Sequence, residues 1–368
     1  MDRLKRAEHI VKRLAYVILR LFLKKGKPSH PPLQVSEMDK ILLLRPETKL
    51  GDMVVSLPVV DALKQHYPHL KVSIWCSPRN AVLIAGDPRF YKVHLYRKRL
   101  PQDLTELRRV RAEKYSCVVD LLCDDSVTSL VLSQYAAPGR PRLGMGKVRF
   151  ERFYDFDSRT EFDPAQHIIL NTLRTIAPLG IVAEDCRGRV EPYLDPAAQN
   201  AAADFMSKLG DEPLGAAVGV NLSSGHPTRE WGETKTKELM VRVLRDYTSL
   251  RIVAIATPAD RQRAREMTRQ LGDRVVLVPD GLGIVQVAAI IKHLRLLITP
   301  DTALVHIARA FDVPVVSMHT CHARNLALWR PYEQDIGTVV GGSVDDIHDI
   351  TVDRVYAAFI EVATSLQF

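Results

Sequence analysis

The feature that most constrains this chain is an alternation that runs to its middle and then starts again. In the first half, short continuous apolar runs at 40–45, 72–76, 93–96 and 117–122 read as strands. Between them, 52–66, 104–112, 126–135 and 165–177 carry apolar residues at helical spacing. Strands that are apolar throughout, rather than at alternate positions, are buried on both faces, and helices must cover them. Segment 183–196 is polar, holds Pro192 and Pro196, and reads as a linker. The pattern then resumes, with strands at 217–222, 252–256, 275–278, 294–299 and 313–318 and helices at 233–247, 260–271, 284–292, 302–311 and 352–366. No short-period repeat is present. The 368 residues suffice for two ordinary domains, each with its own core. The expected partition is a tail and linker over 1–37, a first α/β domain over 38–185, a second over 186–345, and a closing helix over 346–368.

Charge sits almost wholly at one end. The formal net charge is +8, and residues 1–27 carry nine basic side chains against two acidic ones, so seven of the eight positive charges lie there. The folded body is near neutral, which argues against a nucleic-acid footprint. Ile10, Leu14, Val17, Ile18, Leu21 and Phe22 fall on one helical face, with basic residues opposite. Such a helix suits an anionic membrane surface, or it docks on its own protein with the basic face in water. No run approaches the ~20 apolar residues of a membrane span, and no cleavage site marks a signal peptide. Five cysteines, with no Cys-x-x-Cys pair, fit a reduced cytosolic chain and give no metal-ligand spacing.

Open α/β sheets bind ligands beyond the carboxyl ends of their strands, so chemistry is sought in the loops there. The loop Arg45-Pro46-Glu47-Thr48-Lys49-Leu50-Gly51-Asp52 lacks the Gly-x-Gly-x-x-Gly dinucleotide fingerprint. Asp52 at its end either caps the helix or projects into a cleft as a proton acceptor. The loop Asn221-Leu222-Ser223-Ser224-Gly225, followed by Arg229, offers polar groups, close backbone approach and a positive charge suited to a pyrophosphate. It reads equally as a solvated polar loop. In Thr299-Pro300-Asp301-Thr302-Ala303-Leu304-Val305-His306, a strand turns into a helix whose first amides suit a phosphate. Asp301 there could accept bonds from sugar hydroxyls, and His306 lies one turn beyond Thr302. The plainer alternative makes Asp301 the helix cap and His306 a satisfied, half-buried histidine. Lys49, Arg79, Arg140, Arg142, Lys147 and Arg149 are basic positions that could meet acceptor phosphates or carboxylates, or be solvated surface charge.

Taken in order, these loops resemble glycosyltransferase family 9, the ADP-heptose:lipopolysaccharide heptosyltransferases. The motifs are Leu50-Gly51-Asp52-Met53-Val54-Val55-Ser56-Leu57-Pro58, then Arg229-Glu230-Trp231, then Asp301 to His306 with Val313-Pro314. The resemblance covers about residues 38–320. It implies a GT-B fold: two Rossmann-like domains with parallel sheets facing a central cleft, and a C-terminal helix returning to the first domain. It implies an inverting, metal-independent transfer of heptose from ADP-heptose to a lipid A-linked core sugar, with no cofactor, on the cytoplasmic face of the inner membrane. Asp52 then matches the base, Arg229 the basic residue near the donor phosphates, Asp301 a sugar contact, and Thr302 with the next amide a phosphate contact. The basic tail would supply the membrane contact. Three positions depart from the family pattern: Pro300, Ala303 where Gly is usual, and His319-Thr320-Cys321-His322-Ala323-Arg324-Asn325 in place of Gly-Pro-Thr. All lie on the donor side, so they leave another nucleotide-sugar, or a non-catalytic binding protein, as alternatives.

Overall fold

The computed structural model describes residues 23–26, 33–157, 162–209 and 217–367. The first half runs β1 (Lys40–Arg45), α1 (Leu50–Val54), α2 (Leu57–His66), β2 (Lys71–Cys76), α3 (Pro78–Ala81), β3 (Lys92–Leu95), α4 (Leu100–Ala112), β4 (Cys117–Asp120), α5 (Val127–Ala136), β5 (Arg142–Gly144), β6 (Phe156–Asp157) and α6 (Ile168–Arg174). The second runs α7 (Pro196–Ser207), β7 (Ala217–Asn221), α8 (Glu233–Asp246), β8 (Arg251–Ile255), α9 (Arg261–Leu271), β9 (Val275–Leu277), α10 (Ile284–Lys292), β10 (Leu296–Pro300), α11 (Ala303–Ala310), β11 (Val315–His319), α12 (Ala323–Trp329), β12 (Thr338–Val340) and α13 (Val352–Ser365).

Both sheets are parallel throughout and share one order, β3-β2-β1-β4-β5-β6 and β9-β8-β7-β10-β11-β12. This is the doubly wound arrangement that the apolar runs imply, made twice in a GT-B-like fold. Ile41 to Leu44 of β1 are fully buried, as double coverage by helices requires. The order reverses between β1 and β4 and between β7 and β10, so crevices open at those two points, where the candidate loops lie.

Several elements differ from the sequence expectation. The helix expected over 52–66 breaks at Val55 and Ser56. Pro58 cannot donate to the preceding turn, and it occupies the first turn of α2, where that bond is not needed. The run to Pro196 is not simply a linker: Asp195 accepts a hydrogen bond from the Ala198 N–H (2.7 Å) and Pro196 starts α7. Residues 33–38 are part of the first domain, with Val35 and Met38 in its core. The closing helix α13 does not return to the first domain as its main support. Val355, Phe359 and Val362 pack with α8, β11 and β12 on the second sheet, because its apolar stripe completes that sheet's exposed side. The amphipathic pattern of residues 10–22 lies outside the described residues.

The two halves meet along a tight seam. One apolar cluster includes Met53 and Val54 of α1, Ile169 of α6, and Val305 and Ile307 of α11. His167, which caps α6, bonds the Arg330 carbonyl through Nε2 (2.9 Å). Arg189 joins the segment before α7 to Asp312 and Glu333.

Candidate functional site

The loop after β1 is held from beneath by Arg45, a buried residue that the sequence reading passed over. Its Nε and Nη2 donate to the Asp52 carbonyl (3.1 and 3.0 Å), and Nε also reaches Ser56 Oγ (3.0 Å). Its Nη1 donates to the Leu121 carbonyl (2.9 Å) after β4, so one guanidinium ties both sides of the first crevice. Ser56 Oγ donates to the same Asp52 carbonyl (2.7 Å). Burial opposes the Arg45 charge, but the Glu47 and Asp52 carboxylates outweigh it and raise its pKa. Glu47 Oε1 lies 3.0 Å from Arg45 Nε, close but not aligned as a hydrogen bond. Desolvation pushes the Glu47 carboxyl up despite that cation.

Asp52 is not the helix cap. Lys49 stands at that position, and Asp52 sits in the first turn of α1, half-buried, with its carboxylate making no hydrogen bond or ion pair among the described residues. An ionised carboxylate in a first turn is favoured by the helix dipole. The capping explanation is thereby removed, and what is left is a lone carboxylate at the edge of the crevice. Gly51 beside it is required by the seam: a Cβ there would lie 2.9 Å from His306 Cδ2 and 3.5 Å from Ala303 Cα. This contact brings the first and third candidate loops together, from opposite halves of the chain.

On the second half, Thr302 caps α11 through the Leu304 N–H (3.3 Å), and Asp301 does not. Asp301 is thus available to pair with Arg229. Arg229 Nη2 lies 3.2 Å from Asp301 Oδ2, and Nη1 donates to the Asp301 carbonyl (2.9 Å). Arg229 remains partly exposed. Asn221 Nδ2 donates to Thr299 Oγ1 (2.8 Å) and Thr302 Oγ1 (3.3 Å), and its Oδ1 accepts from the Ser223 N–H (3.1 Å). Ser223 Oγ donates to Asp260 Oδ2 (2.5 Å) and accepts from the Thr257 N–H (2.9 Å). Asp260 and Thr257 are members of this network that the sequence did not single out, because they follow β8 rather than β7 or β10. Ser224 Oγ donates to the His226 carbonyl (2.8 Å), and Gly225 turns the chain at φ +69° with no neighbour where a Cβ would stand. Asn221, Ser223, Ser224, Glu230, Arg263 and Pro300 line a pocket at this end of the second sheet.

His306 is buried in the seam, its ring beside those of His167 and Trp329. Burial lowers its pKa, while Asp301 and Asp52 both pull it upward. The two carboxylates therefore both act on the charge of one ring. Ala303 faces Gly51 across the seam. In the run from His319, His319 Nε2 bonds Ser317 Oγ (2.9 Å), and His322 caps α12 through the Asn325 N–H (3.3 Å).

The basic acceptor candidates divide. Lys49, Arg79, Arg140 and Arg149 are exposed. Arg142 and Lys147 are buried, which corrects their assignment to acceptor binding. Arg142 donates to the Phe153 carbonyl (2.9 Å) and pairs with Asp155. Lys147 is fully buried, pairs with Asp120 (2.8 Å), and donates to the Leu122 and Asp124 carbonyls (2.6 and 2.8 Å). Among the described residues no three His, Cys, Asp or Glu side chains converge as a metal site.

Comparison with known proteins adds three findings. Residues 105–348, more than half of the chain, match the family described as glycosyltransferase family 9 (heptosyltransferase). Lipopolysaccharide heptosyltransferase 3 of Escherichia coli K12 is 22% identical over 328 residues, covering 84% of this chain and 91% of that protein. Among solved structures, a family 9 glycosyltransferase from Veillonella parvula superposes with a TM-score of 0.73 at 18% identity, covering 89% of this chain and 97% of that one. The E. coli heptosyltransferase WaaC with ADP gives 0.67 at 18% identity, covering 89% and 98%. These two likenesses bear on the fold.

Proposed function

The chain belongs to glycosyltransferase family 9, and from that premise we propose that it transfers a heptose from ADP-heptose to a lipid A-linked core sugar, with inversion at the anomeric carbon. One observation carries this reading: the Gly51-Asp52 turn meets His306 where the two halves touch, and the unpartnered Asp52 carboxylate and the Arg229-paired Asp301 carboxylate both act on that ring's charge. Asp52 takes the proton from the acceptor hydroxyl as that oxygen attacks the anomeric carbon. The bond to the diphosphate breaks on the opposite face, and the leaving charge is met by Arg229 and the first amides of α11. Asp301 orients Arg229 and has a carboxylate oxygen to offer a sugar hydroxyl. Arg229 supplies the positive charge that a metal supplies in other transferases. The ADP seen with WaaC supports the nucleotide assignment. The enzyme works on the cytoplasmic face of the inner membrane, held there by its basic residues 1–27.

A second reading, transfer of a different nucleotide-sugar, is favoured by Ala303 and the run from His319 to Asn325, which stand at the donor end. Calorimetric titration with ADP, GDP and UDP, first without metal and then with magnesium, separates the two. Selective ADP binding without metal supports heptosyl transfer. Preference for UDP or GDP moves the chain to another donor, and no binding of any nucleotide refutes both readings.

A further inference from the structure

We propose that the face of the first domain formed by residues 23–26 and 140–153 is a second membrane contact, seated on anionic lipid headgroups beside the acceptor side of the crevice. Residues 23–26 are fastened to the folded domain. The Lys24 N–H donates to Gln134 Oε1 (3.0 Å) and the Lys24 carbonyl accepts from Gln134 Nε2 (2.6 Å). The Gly26 N–H donates to the Arg152 carbonyl (2.8 Å), and a Cβ on Gly26 would collide with the Tyr154 carbonyl. Leu23 leans on Leu130, Phe150, Phe153 and Tyr154. The strongly basic N-terminal run therefore joins the domain at one fixed place.

The surface around that place continues its charge. Lys24, Lys25, Arg140, Arg149 and Arg152 are exposed there, against Glu151 in the run 147–153 and Asp125, which pairs with Arg149 (3.4 Å). Arg149 and Arg152 lie over the rings of buried Phe150 and Phe153 (5.5 and 4.7 Å), which keeps their cations at the surface. Val148, 58% exposed, stands beside Arg149 as an apolar tip. Cations around a projecting apolar side chain match an anionic bilayer, with headgroups outside and acyl chains within reach. A nucleic acid would leave Val148 without a partner.

The same segment is braced on the crevice. Lys147 is anchored to the Leu122 and Asp124 carbonyls, and the Arg149 N–H donates to Asp125 Oδ2 (2.9 Å). Leu121 of that loop holds Arg45, which holds Asp52. A bilayer under this face therefore lies on the side from which a lipid-borne acceptor reaches Asp52. This orientation rests on the lipid-linked acceptor proposed above, whereas the lipid contact itself does not.

The test uses the full chain and vesicles of phosphatidylethanolamine with phosphatidylglycerol, against phosphatidylcholine alone. Two lost charges near the surface should weaken binding about thirtyfold, so Arg149→Gln/Arg152→Gln is expected to sediment far less with the anionic vesicles. Val148→Trp should be quenched by brominated lipids, whereas Val241→Trp on α8 should not. If the wild type sediments and the Trp at 148 is unquenched, or the double variant binds unchanged, the face is not a contact, and the basic tail alone can carry the membrane reading. If the wild type fails to bind anionic vesicles at all, this proposal and that reading fall together.

Discussion

The two halves share one strand order but treat their carboxylates in opposite ways. In the first, Arg45 is spent on backbone and loop, so the Asp52 backbone is fixed while its carboxylate stays single. In the second, nearly every polar side chain at the strand ends is bonded to another, and Asp301 is paired with Arg229. A lone carboxylate on a rigid backbone is suited to gaining and losing a proton. A cross-linked network is suited to holding one shape before its ligand arrives, which limits the ordering cost of binding. On the proposed mechanism a single topology thus yields a reactive edge and a binding edge, and Gly51 against His306 brings their loops together.

The comparison can be broken at either edge. The largest effect is expected from Asp52→Asn, which keeps shape and removes basicity. Turnover should fall by about 10²–10⁴-fold, read in a transfer assay with ADP-heptose, with the melting temperature retained. Near-normal turnover would show that Asp52 is not the base. Next is Lys147→Met, which leaves Asp120 buried without its cation and should destabilise the first domain by about 3–5 kcal/mol in denaturant titration. A stable variant with a raised KM for acceptor would instead restore Lys147 to acceptor binding. Gly51→Ala should cost about 1–3 kcal/mol by overpacking the seam, since His306 is held by its neighbours. A gain in stability would mean that the seam opens without penalty.

The smallest effect concerns pH. Burial pushes His167 down to about 3, while in the unfolded chain a histidine titrates near 6.5. Between those values the unfolded chain binds the proton and the folded one does not. The His167 contribution is therefore complete above about pH 6.5 and declines as the pH falls toward 3. Buried His306 and His319 are shifted in the same direction. His167→Gln should flatten the fall in melting temperature between pH 7 and 5, and an unchanged slope would assign the acid sensitivity to other groups.

The principal strands and the three loops were legible because burial on both faces writes continuous apolar runs, and because loops that follow such strands are where ligands bind. Short strands were not. β5, β6 and β12 span two or three residues each and, unlike the equally short β9 with its run Val275-Val276-Leu277-Val278, carry no longer apolar run to mark them. The start of α7 was legible in principle from Asp195-Pro196, but a polar run with proline also describes a linker. What no local pattern could reveal was pairing at a distance. Lys147 looks like any surface lysine until the fold sets Asp120 against it. The reason for Gly51 lies in His306, on the other half of the chain. Arg45 reads as the end of a strand, and only the folded crevice shows that it fixes Asp52.

The division of labour between the two edges is tested most directly by titrating ADP into Asp52→Asn and Arg229→Ala side by side, each against the wild type. The account predicts an unchanged Kd for Asp52→Asn and binding weakened by about tenfold or more for Arg229→Ala, in keeping with loss of a charged hydrogen bond to phosphate. Equal weakening in both variants, or none in Arg229→Ala, would contradict it.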